Sequence, residues 1–206
     1  MSGCYSVKLL RSHGEAEVSA GGSVFRITIA DFELLGIEDG AAADEDGLSA
    51  LEEAAEKLSC IKKSQVYLSY RALPARKLEQ KLKKAGFSEE SIEKTVELLI
   101  KKGYLNDEEL CYDYAVAMRD SKRFGVSRLR KELYGKGFSR ECVEDALAKA
   151  FEGYETEDPI LELLAKKFPS LQAEDRQARA KAVAYLYRMG YSYDDINNAI
   201  EAFGRE

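Results

Sequence analysis

The sequence predicts a mainly α-helical protein: an elongated array of three tandem three-helix (helix-turn-helix-like) repeats behind a small N-terminal β-element. Helical spacing of apolar residues runs from about residue 49 to the end, a motif recurs after 51 and 53 residues, and strand-like alternation is confined to residues 4–37. The predicted segments are a β-element with an acidic linker at 1–47, a linker helix with the first repeat at 48–103, a second repeat at 104–153 and a third repeat at 154–206.

The β-element is predicted from two short alternating segments. Apolar residues alternate with polar ones over 5–9 and again over 25–29, where Ile29 is the last apolar position. Ala20-Gly21-Gly22-Ser23 has the composition of a hairpin turn, and His13-Gly14 that of a bend. Such an element is too small to be stable alone, so we expect it to pack against the helices that follow.

The helical part begins with a capping signal. Ser49 and Glu52 form a capping box, which predicts a helix that starts near Ser49. Further helices are predicted at about 65–72, 107–121 and 158–168, one ahead of each repeat of the motif.

The repeated motif predicts a corner between two helices. Residues 77–88 align with 128–139, and a fainter third copy begins at Lys181. In the first two copies, leucines four positions apart form one buried face, glycine ends the helix, an aromatic residue follows, and serine caps the next helix. The first two copies share seven identical positions over 77–96 and 128–147. Because one such unit has a small core, we expect neighbouring units to stack.

Composition favours a binding protein over an enzyme. Of the 206 residues, 45% are apolar and 33% charged, and no apolar run approaches the ~20 residues that a membrane helix needs. The start of the chain lacks the pattern of a signal peptide, so we expect a cytoplasmic protein whose four cysteines are reduced. The single histidine, His13, excludes a multi-histidine metal site, and no glycine-rich phosphate loop follows a strand. We therefore expect no cofactor.

Charge is unevenly distributed along the chain, whose net charge is −6. Residues 1–61 have 4 basic and 12 acidic side chains, and residues 62–103 have 11 basic and 5 acidic. Residues 104–151 have 9 of each, with the basic ones concentrated over 119–140, and residues 152–206 have 7 basic and 11 acidic. A positive middle between acidic ends can attract phosphates or an acidic protein surface, although a solvated helix face would look the same.

Several motifs, in their order and spacing, resemble the RecX family of proteins that modulate the RecA recombinase. The matching residues are Tyr67-Leu68-Ser69-Tyr70-Arg71, Leu78, Leu82, Gly86-Phe87, Gly103-Tyr104-Leu105-Asn106-Asp107, and Leu133 with Lys136-Gly137-Phe138. The resemblance is clear over 60–150 and reaches 151–206 through the repeat. The sequence departs from the family pattern at Pro74, Lys77 and Leu110, where the family usually has serine, glutamate and phenylalanine.

The resemblance implies a non-enzymatic regulator that binds the RecA–DNA filament and inhibits ATP hydrolysis, strand exchange and filament growth. Recombination, DNA repair and the SOS response would be modulated as a result. The expected partners are the RecA filament and single- or double-stranded DNA, bound weakly and in a salt-dependent way. We expect a monomer that does not bind membranes.

Basic residues of the positive middle are the candidate contacts. Lys77, Lys81 and Lys84 share one predicted helix face, and Lys77, Arg128 and Lys181 are equivalent in the three copies. Such side chains contact phosphates without reading base identity. The candidate partner- or DNA-binding residues are Arg71, Arg76, Lys77, Lys81, Lys84, Arg119, Lys122, Arg123, Arg128, Arg130, Lys131 and Lys181.

Other functions stay open at the level of sequence. A helical-repeat scaffold that binds DNA or another protein, unrelated to RecA, would have the same repeat, and so would an enzyme whose site is not recognisable. Sequence-specific DNA binding is disfavoured, because acidic residues such as Glu89 and Asp194 begin the helices that would enter the major groove. Seven tyrosines at helical spacing are either packed or available to stack on bases: Tyr67, Tyr70, Tyr112, Tyr114, Tyr134, Tyr185 and Tyr187.

Overall fold

The computed structural model describes residues 4–171 and 175–203, which form three strands and ten α-helices. The strands are β1 (Ser6–Leu10), β2 (Glu15–Ala20) and β3 (Ser23–Thr28). The helices are α1 (Ile29–Leu35), α2 (Glu45–Tyr70), α3 (Ala75–Lys84), α4 (Glu89–Lys101), α5 (Asp107–Lys122), α6 (Val126–Lys136), α7 (Arg140–Phe151), α8 (Glu157–Lys167), α9 (Arg176–Met189) and α10 (Tyr193–Phe203). The chain divides into two compact units, Met1–Leu105 and Asn106–Glu206.

Helices α2–α4, α5–α7 and α8–α10 form three modules, called here the first, second and third module. The predicted fold class, mainly helical with repeated three-helix modules and a small N-terminal sheet, is confirmed. The second and third modules both lie in the second compact unit, whereas the first module shares its unit with the sheet. The finer segment boundaries given above stay predictions.

The sheet is an antiparallel meander in the order β1-β2-β3. Its predicted hairpin turn is confirmed, because Ala20 pairs with Ser23 across a two-residue loop. Gly21 and Gly22 in that loop have φ values of 59° and 84°, as a hairpin turn of the primed type requires. The predicted bend at His13-Gly14 is also present, since Gly14 is left-handed after a single turn of 3-10 helix.

Helix α1 was not predicted, and the last strand is shorter than predicted. β3 ends at Thr28, and Ile29, predicted to be a strand residue, begins α1. Thr28 caps this helix, since its hydroxyl accepts a hydrogen bond from the backbone N–H of Asp31. The first two apolar positions of the alternating segment are strand residues, whereas the third is a helix residue. The threonine directly before it, a typical helix cap, marks this boundary in the sequence.

Helix α2 is longer and more continuous than predicted. It begins at Glu45 rather than near Ser49, because the side chain of Asp44 caps it by accepting from the N–H of Gly47. The separate helix predicted at 65–72 is the last part of α2, which ends at Tyr70. The same helix therefore packs on the sheet and forms part of the first module.

Polar side chains tie α2 to its neighbours in this unit. The carboxylate of Glu56 accepts from the N–H and the hydroxyl of Ser88, at 2.8 and 2.6 Å, and from the hydroxyl of Ser91 at 2.7 Å. Lys57 donates to Asp31 of α1 at 2.5 Å. Because Ser88 is the cap of α4, Glu56 fixes the position of that helix end relative to α2.

The predicted helix corner occurs in all three modules with the same bonds. Its glycine is left-handed each time, with φ of 92°, 102° and 99° at Gly86, Gly137 and Gly190. The N–H of the following aromatic residue donates to the carbonyl five positions earlier, in the pairs Phe87–Leu82, Phe138–Leu133 and Tyr191–Leu186. A serine then caps the next helix through its hydroxyl, namely Ser88, Ser139 or Ser192. The local sequence therefore determines the corner in each module.

Each module buries a core of its own. The fully buried side chains include Leu78 and Leu82 in the first module, Leu129 and Leu133 in the second, and Leu186 with its neighbours in the third. The sheet packs on the first half of α2 in a further separate core.

The second and third modules are joined by hydrogen bonds between their backbones. The N–H of Gly125 donates to the carbonyl of Met189 at 2.8 Å, and the N–H of Ser127 donates to the carbonyl of Gly190 at 3.1 Å. A Cβ atom on Gly125 would lie 2.5 Å from the carbonyl carbon of Gly190, and one on Gly190 would lie 2.3 Å from the amide nitrogen of Arg128. Only glycine allows this approach, which we call the glycine junction.

Arg123 completes the glycine junction. It is left-handed, with φ of 55°, and its guanidinium pairs with Glu162 of the third module at 2.9 Å. Its carbonyl accepts from the hydroxyl of the buried Tyr191 at 2.8 Å. The left-handed conformation is unfavourable for arginine, so the ion pair and the hydrogen bond from the third module stabilise Arg123 in it.

Candidate interaction surface

Charge separates between the helices within each module. The second helix is strongly basic: α3 has five basic residues and one acidic, α6 has four and one, and α9 has four and none. The third helix is net acidic: α4 has four acidic residues and two basic, α7 has three and two, and α10 has three and none. We call α3, α6 and α9 the cationic helices. The charge counts over longer segments do not show this alternation of basic and acidic helices.

Helix α3 has the most basic residues of the cationic helices. Its fully buried Leu78 and Leu82 fix the inner face, so the lysines point outward or lie along the module. Lys84 is exposed, whereas Lys77 and Lys81 are half-buried. The ammonium of Lys81 lies 4.9 Å from the ring centroid of Tyr67, a distance typical of a cation–π contact.

Arg71 and Arg76 lie near the start of α3. Arg71 follows the end of α2, Arg76 lies in the first turn of α3, and both are exposed. Neither has an ion-pair partner within the described residues. In contrast Lys83, on the same helix, pairs with Glu89 of α4. The two arginines add to the charge that α3 presents to solvent.

Acidic neighbours partly neutralise helix α6. Arg128 pairs with Glu132 at 2.6 Å, and Arg130 binds both carboxylate oxygens of Glu144 at 2.7 and 2.9 Å. Hydrogen bonding to Arg130 lowers the pKa of Glu144, so this pair stays charged at neutral pH. Lys131 is exposed. Of the three predicted contacts on α6, Lys131 is therefore the most available to a partner.

The predicted contacts at the end of α5 differ in their surroundings. The side chain of Arg119 is 17% exposed; it pairs with Asp120, donates to the carbonyl of Ala150 and lies 4.2 Å from the ring of Tyr154. Arg119 thus closes the carboxyl end of α7. Lys122 is exposed beside an aromatic ring, and Arg123 belongs to the glycine junction.

Helix α9 has three cations besides the predicted contact Lys181. Arg176, Arg179 and Arg188 are also basic, and the helix has no acidic residue. None of these four side chains has a carboxylate partner in the part of the chain that the structure describes. The signal was present in the sequence: 14 consecutive residues without an acid, inside an acidic segment.

Other reactive groups lie outside the cationic helices. Burial raises the pKa of the Cys60, Cys111 and Cys142 thiols, whereas Cys4 is exposed. Over residues 4–171 and 175–203, no three His, Cys, Asp or Glu side chains are grouped as metal ligands would be. A membrane-spanning helix is likewise not found among those residues.

Comparison with known proteins identifies relatives of this chain. The family models described as the first and the third three-helix domain of RecX match residues 62–99 and 155–200. A "Regulatory protein RecX" from Chlorobium phaeobacteroides is 30% identical over 125 residues, which are 61% of this chain and 80% of the relative. A protein of the same name from Vibrio parahaemolyticus is 32% identical over 126 residues, 60% of this chain and 77% of the relative.

A solved structure shares the fold. The "Crystal structure of regulatory protein RecX" superposes with a TM-score of 0.78 at 18% identity, and the match covers 98% of this chain and 100% of that one. At this identity the likeness concerns the fold alone.

Proposed function

Because the chain belongs to the RecX family of regulatory proteins, we propose that it binds the RecA–DNA filament and inhibits the recombinase. The inhibited steps would be ATP hydrolysis, strand exchange and filament growth, with effects on recombination, DNA repair and the SOS response. The link to RecA comes from the family resemblance of the sequence. The chain itself would act by binding, without catalysing a reaction.

The charge separation within each module is the observation that supports this proposal. A filament of protein on DNA presents phosphates and acidic side chains, and the cationic helices offer exposed lysines and arginines to both. The acidic third helices would be kept away from the phosphates or would contact basic protein surfaces. Contacts of this kind bind the polymer without reading its base sequence, as a general regulator of a filament requires.

Repetition converts weak contacts into useful affinity. Each cationic helix by itself offers a few screened charges, and such charges contribute little in water. Three modules in one chain raise the effective concentration of the second and third contact once the first has formed. A filament offers repeated sites, so the chain could occupy several and restrain the movements that ATP hydrolysis and growth require.

The test is the ATPase activity of RecA on single-stranded DNA with increasing amounts of this protein. We expect inhibition below a one-to-one ratio to RecA, weakening as salt rises because charge pairs contribute to binding. The variant with Lys77, Lys81 and Lys84 changed to glutamate should inhibit at least tenfold less, since it reverses the charge of one cationic helix.

A matched control keeps the change in net charge but moves it within the same module. Changing Lys94, Lys101 and Lys102 to glutamate alters the acidic α4 and the residue after it, and inhibition should change little. If the wild-type protein leaves ATP hydrolysis unaffected at every ratio, the proposal fails and a scaffold for another partner becomes the better interpretation. Equal loss in both triple variants would contradict the assignment to the cationic helices.

A further inference from the structure

Two exposed tyrosines of the third module stack on each other. The rings of Tyr187, near the end of α9, and Tyr193, at the start of α10, have centroids 4.8 Å apart and an interplanar angle of 25°. Although each ring covers part of the other, Tyr187 remains 55% exposed and Tyr193 56% exposed. A stacked pair of tyrosines that stays this exposed offers aromatic ring surface on which a further flat group can stack.

The equivalent tyrosine of the second module is held differently. Tyr134 donates its hydroxyl hydrogen bond to Glu144, and Glu144 is also bound by Arg130. A shift of 53 residues replaces Arg130 by Val183 and Glu144 by Asn197, and brings Tyr187 onto Tyr134. The third module therefore lacks the ion pair that would engage this tyrosine, and its ring is free to stack.

Unpaired positive charge lies beside the tyrosine pair. Lys181, Ala184, Tyr187 and Arg188 are exposed, and helical spacing puts Ala184 between Tyr187 on one side and the two cations on the other, so the exposed side of α9 has the tyrosine at one edge and Lys181 and Arg188 at the other. No residue of α9 is acidic, whereas Asp194, next to Tyr193 in the first turn of α10, is acidic and exposed. A polyanion would accordingly run along α9 and not over the start of α10.

We propose that this face binds single-stranded nucleic acid, with a base stacked on the Tyr187–Tyr193 pair and neighbouring phosphates on Lys181 and Arg188. The assignment rests on the proposed function and deepens it, because it names the partner of one cationic helix. Stacking needs an unpaired base, since the bases of a duplex already stack on one another. The second and first modules, which lack the tyrosine pair, would contribute charge contacts alone.

Fluorescence anisotropy on the full chain, without recombinase, tests the inference. The probes are a labelled oligothymidylate and an abasic oligomer of the same length, which has the same phosphates and no bases. Tyr187→Leu, which keeps apolar bulk but removes the π system, should weaken oligothymidylate binding about tenfold and leave the abasic oligomer unaffected. Lys181→Ala with Arg188→Ala should weaken both and reduce the slope of log K against log salt by about 1.4.

Tyr104→Leu is the matched control, because Tyr104 is an exposed tyrosine of the first unit for which the described residues provide no ring partner. It should bind both oligomers as the wild-type protein does. The inference is overturned if wild-type protein binds neither oligomer, if it binds the two equally, or if Tyr187→Leu has no effect. Displacement of the oligothymidylate by polyglutamate at equal charge would also overturn it, in favour of an acidic protein partner.

The two proposals fail separately. Tyrosine-dependent binding of oligothymidylate by a protein that leaves RecA activity unchanged contradicts the proposed function alone. Inhibition of RecA by a protein whose binding does not depend on Tyr187 contradicts the inference alone.

Discussion

The chain joins its parts in two different ways. In the first compact unit, side chains of α2 reach out to neighbouring elements: Glu56 binds the cap of α4, and Lys57 binds Asp31 of α1. In the second unit, the glycine junction joins two modules through backbone N–H and carbonyl groups, with almost no space for a side chain. A substitution in the first unit removes the bonds of one side chain, whereas a side chain at either glycine of the junction would displace the backbones that approach there.

The first and second modules differ at the residue that precedes their cationic helices. A shift of 51 residues places Pro74 on Gly125; each is the N-cap residue of its cationic helix. Proline has no N–H and therefore cannot donate the bond that Gly125 donates to Met189. The first module repeats the helix corner of the other two but lacks the donor on which the glycine junction depends.

Breaking the glycine junction should have the largest effect on stability. Gly190→Ala would force a Cβ atom to within 2.3 Å of backbone at a residue whose φ is 99°. Overpacking together with a strained left-handed alanine should lower the free energy of unfolding by about 4 kcal/mol. Urea denaturation measures the loss, and hydrogen exchange should locate it in the second unit.

Substitutions at two other glycines distinguish the effect of the close contact from the effect of the left-handed backbone. Gly86→Ala places alanine at φ of 92° with no atom within 4 Å of its Cβ, so it should cost only the conformational strain of about 1 to 2 kcal/mol. Gly135→Ala lies in α6 with open space around it and should stabilise the protein by up to about 1 kcal/mol. A loss for Gly190→Ala no greater than that for Gly86→Ala would contradict the importance of the close approach.

The corner of each module could be predicted from sequence because its causes are local. Glycine, an aromatic residue and serine within three positions specify the left-handed turn, the returning N–H and the cap. The start of α2 could not be fixed from sequence, because Asp44 and Ser49 both offer a capping side chain and the helix uses Asp44. Gly125 drew no attention either, since the backbone that approaches it is 65 residues away in the sequence.

Removing the acceptor at Glu56 should have the second-largest effect. Glu56→Gln keeps the shape but offers one carbonyl oxygen to three donors on Ser88 and Ser91. Leaving part of these groups without a partner should lower the stability of the first unit by about 2 kcal/mol. Glu52→Gln, an exposed position one turn earlier on α2, is the control and should be neutral; an equal loss in both variants would refute the role of Glu56.

The same carboxylate gives the effect a pH dependence. Hydrogen bonds from Ser88 lower the pKa of Glu56 in the folded protein, so the unfolded chain takes up this proton at higher pH. The stabilisation is therefore complete above the ordinary glutamate pKa and disappears as pH falls through the lowered value. The difference in unfolding free energy between wild type and Glu56→Gln should shrink on acidification, while Glu89, Asp120 and Glu144, whose pKa values are also lowered, act alike in both proteins.

The sequence could not show which basic residues of the interaction surface are bound by other groups of the same chain. Charge counts identified the basic region, but they could not show that Arg130 binds Glu144 or that Arg119 closes the end of α7. These partners lie 14 and 31 residues away, so they depend on the fold. The cationic character of α9 was visible in its sequence and was obscured by averaging over an acidic segment. The roles of these residues in binding a partner stay predictions.

The smallest effect is expected from the tyrosine hydroxyl at the glycine junction. The first two modules have phenylalanine after the corner glycine, whereas the third has Tyr191, whose hydroxyl donates to the carbonyl of Arg123. Burial raises the pKa of Tyr191, so the hydroxyl keeps its proton across the alkaline range in which exposed tyrosines lose theirs. Tyr191→Phe restores the residue of the other modules and should cost about 1 kcal/mol, measured by urea denaturation. If the variant were as stable as wild type, the junction would depend on its two glycines and the Arg123–Glu162 pair without help from this bond.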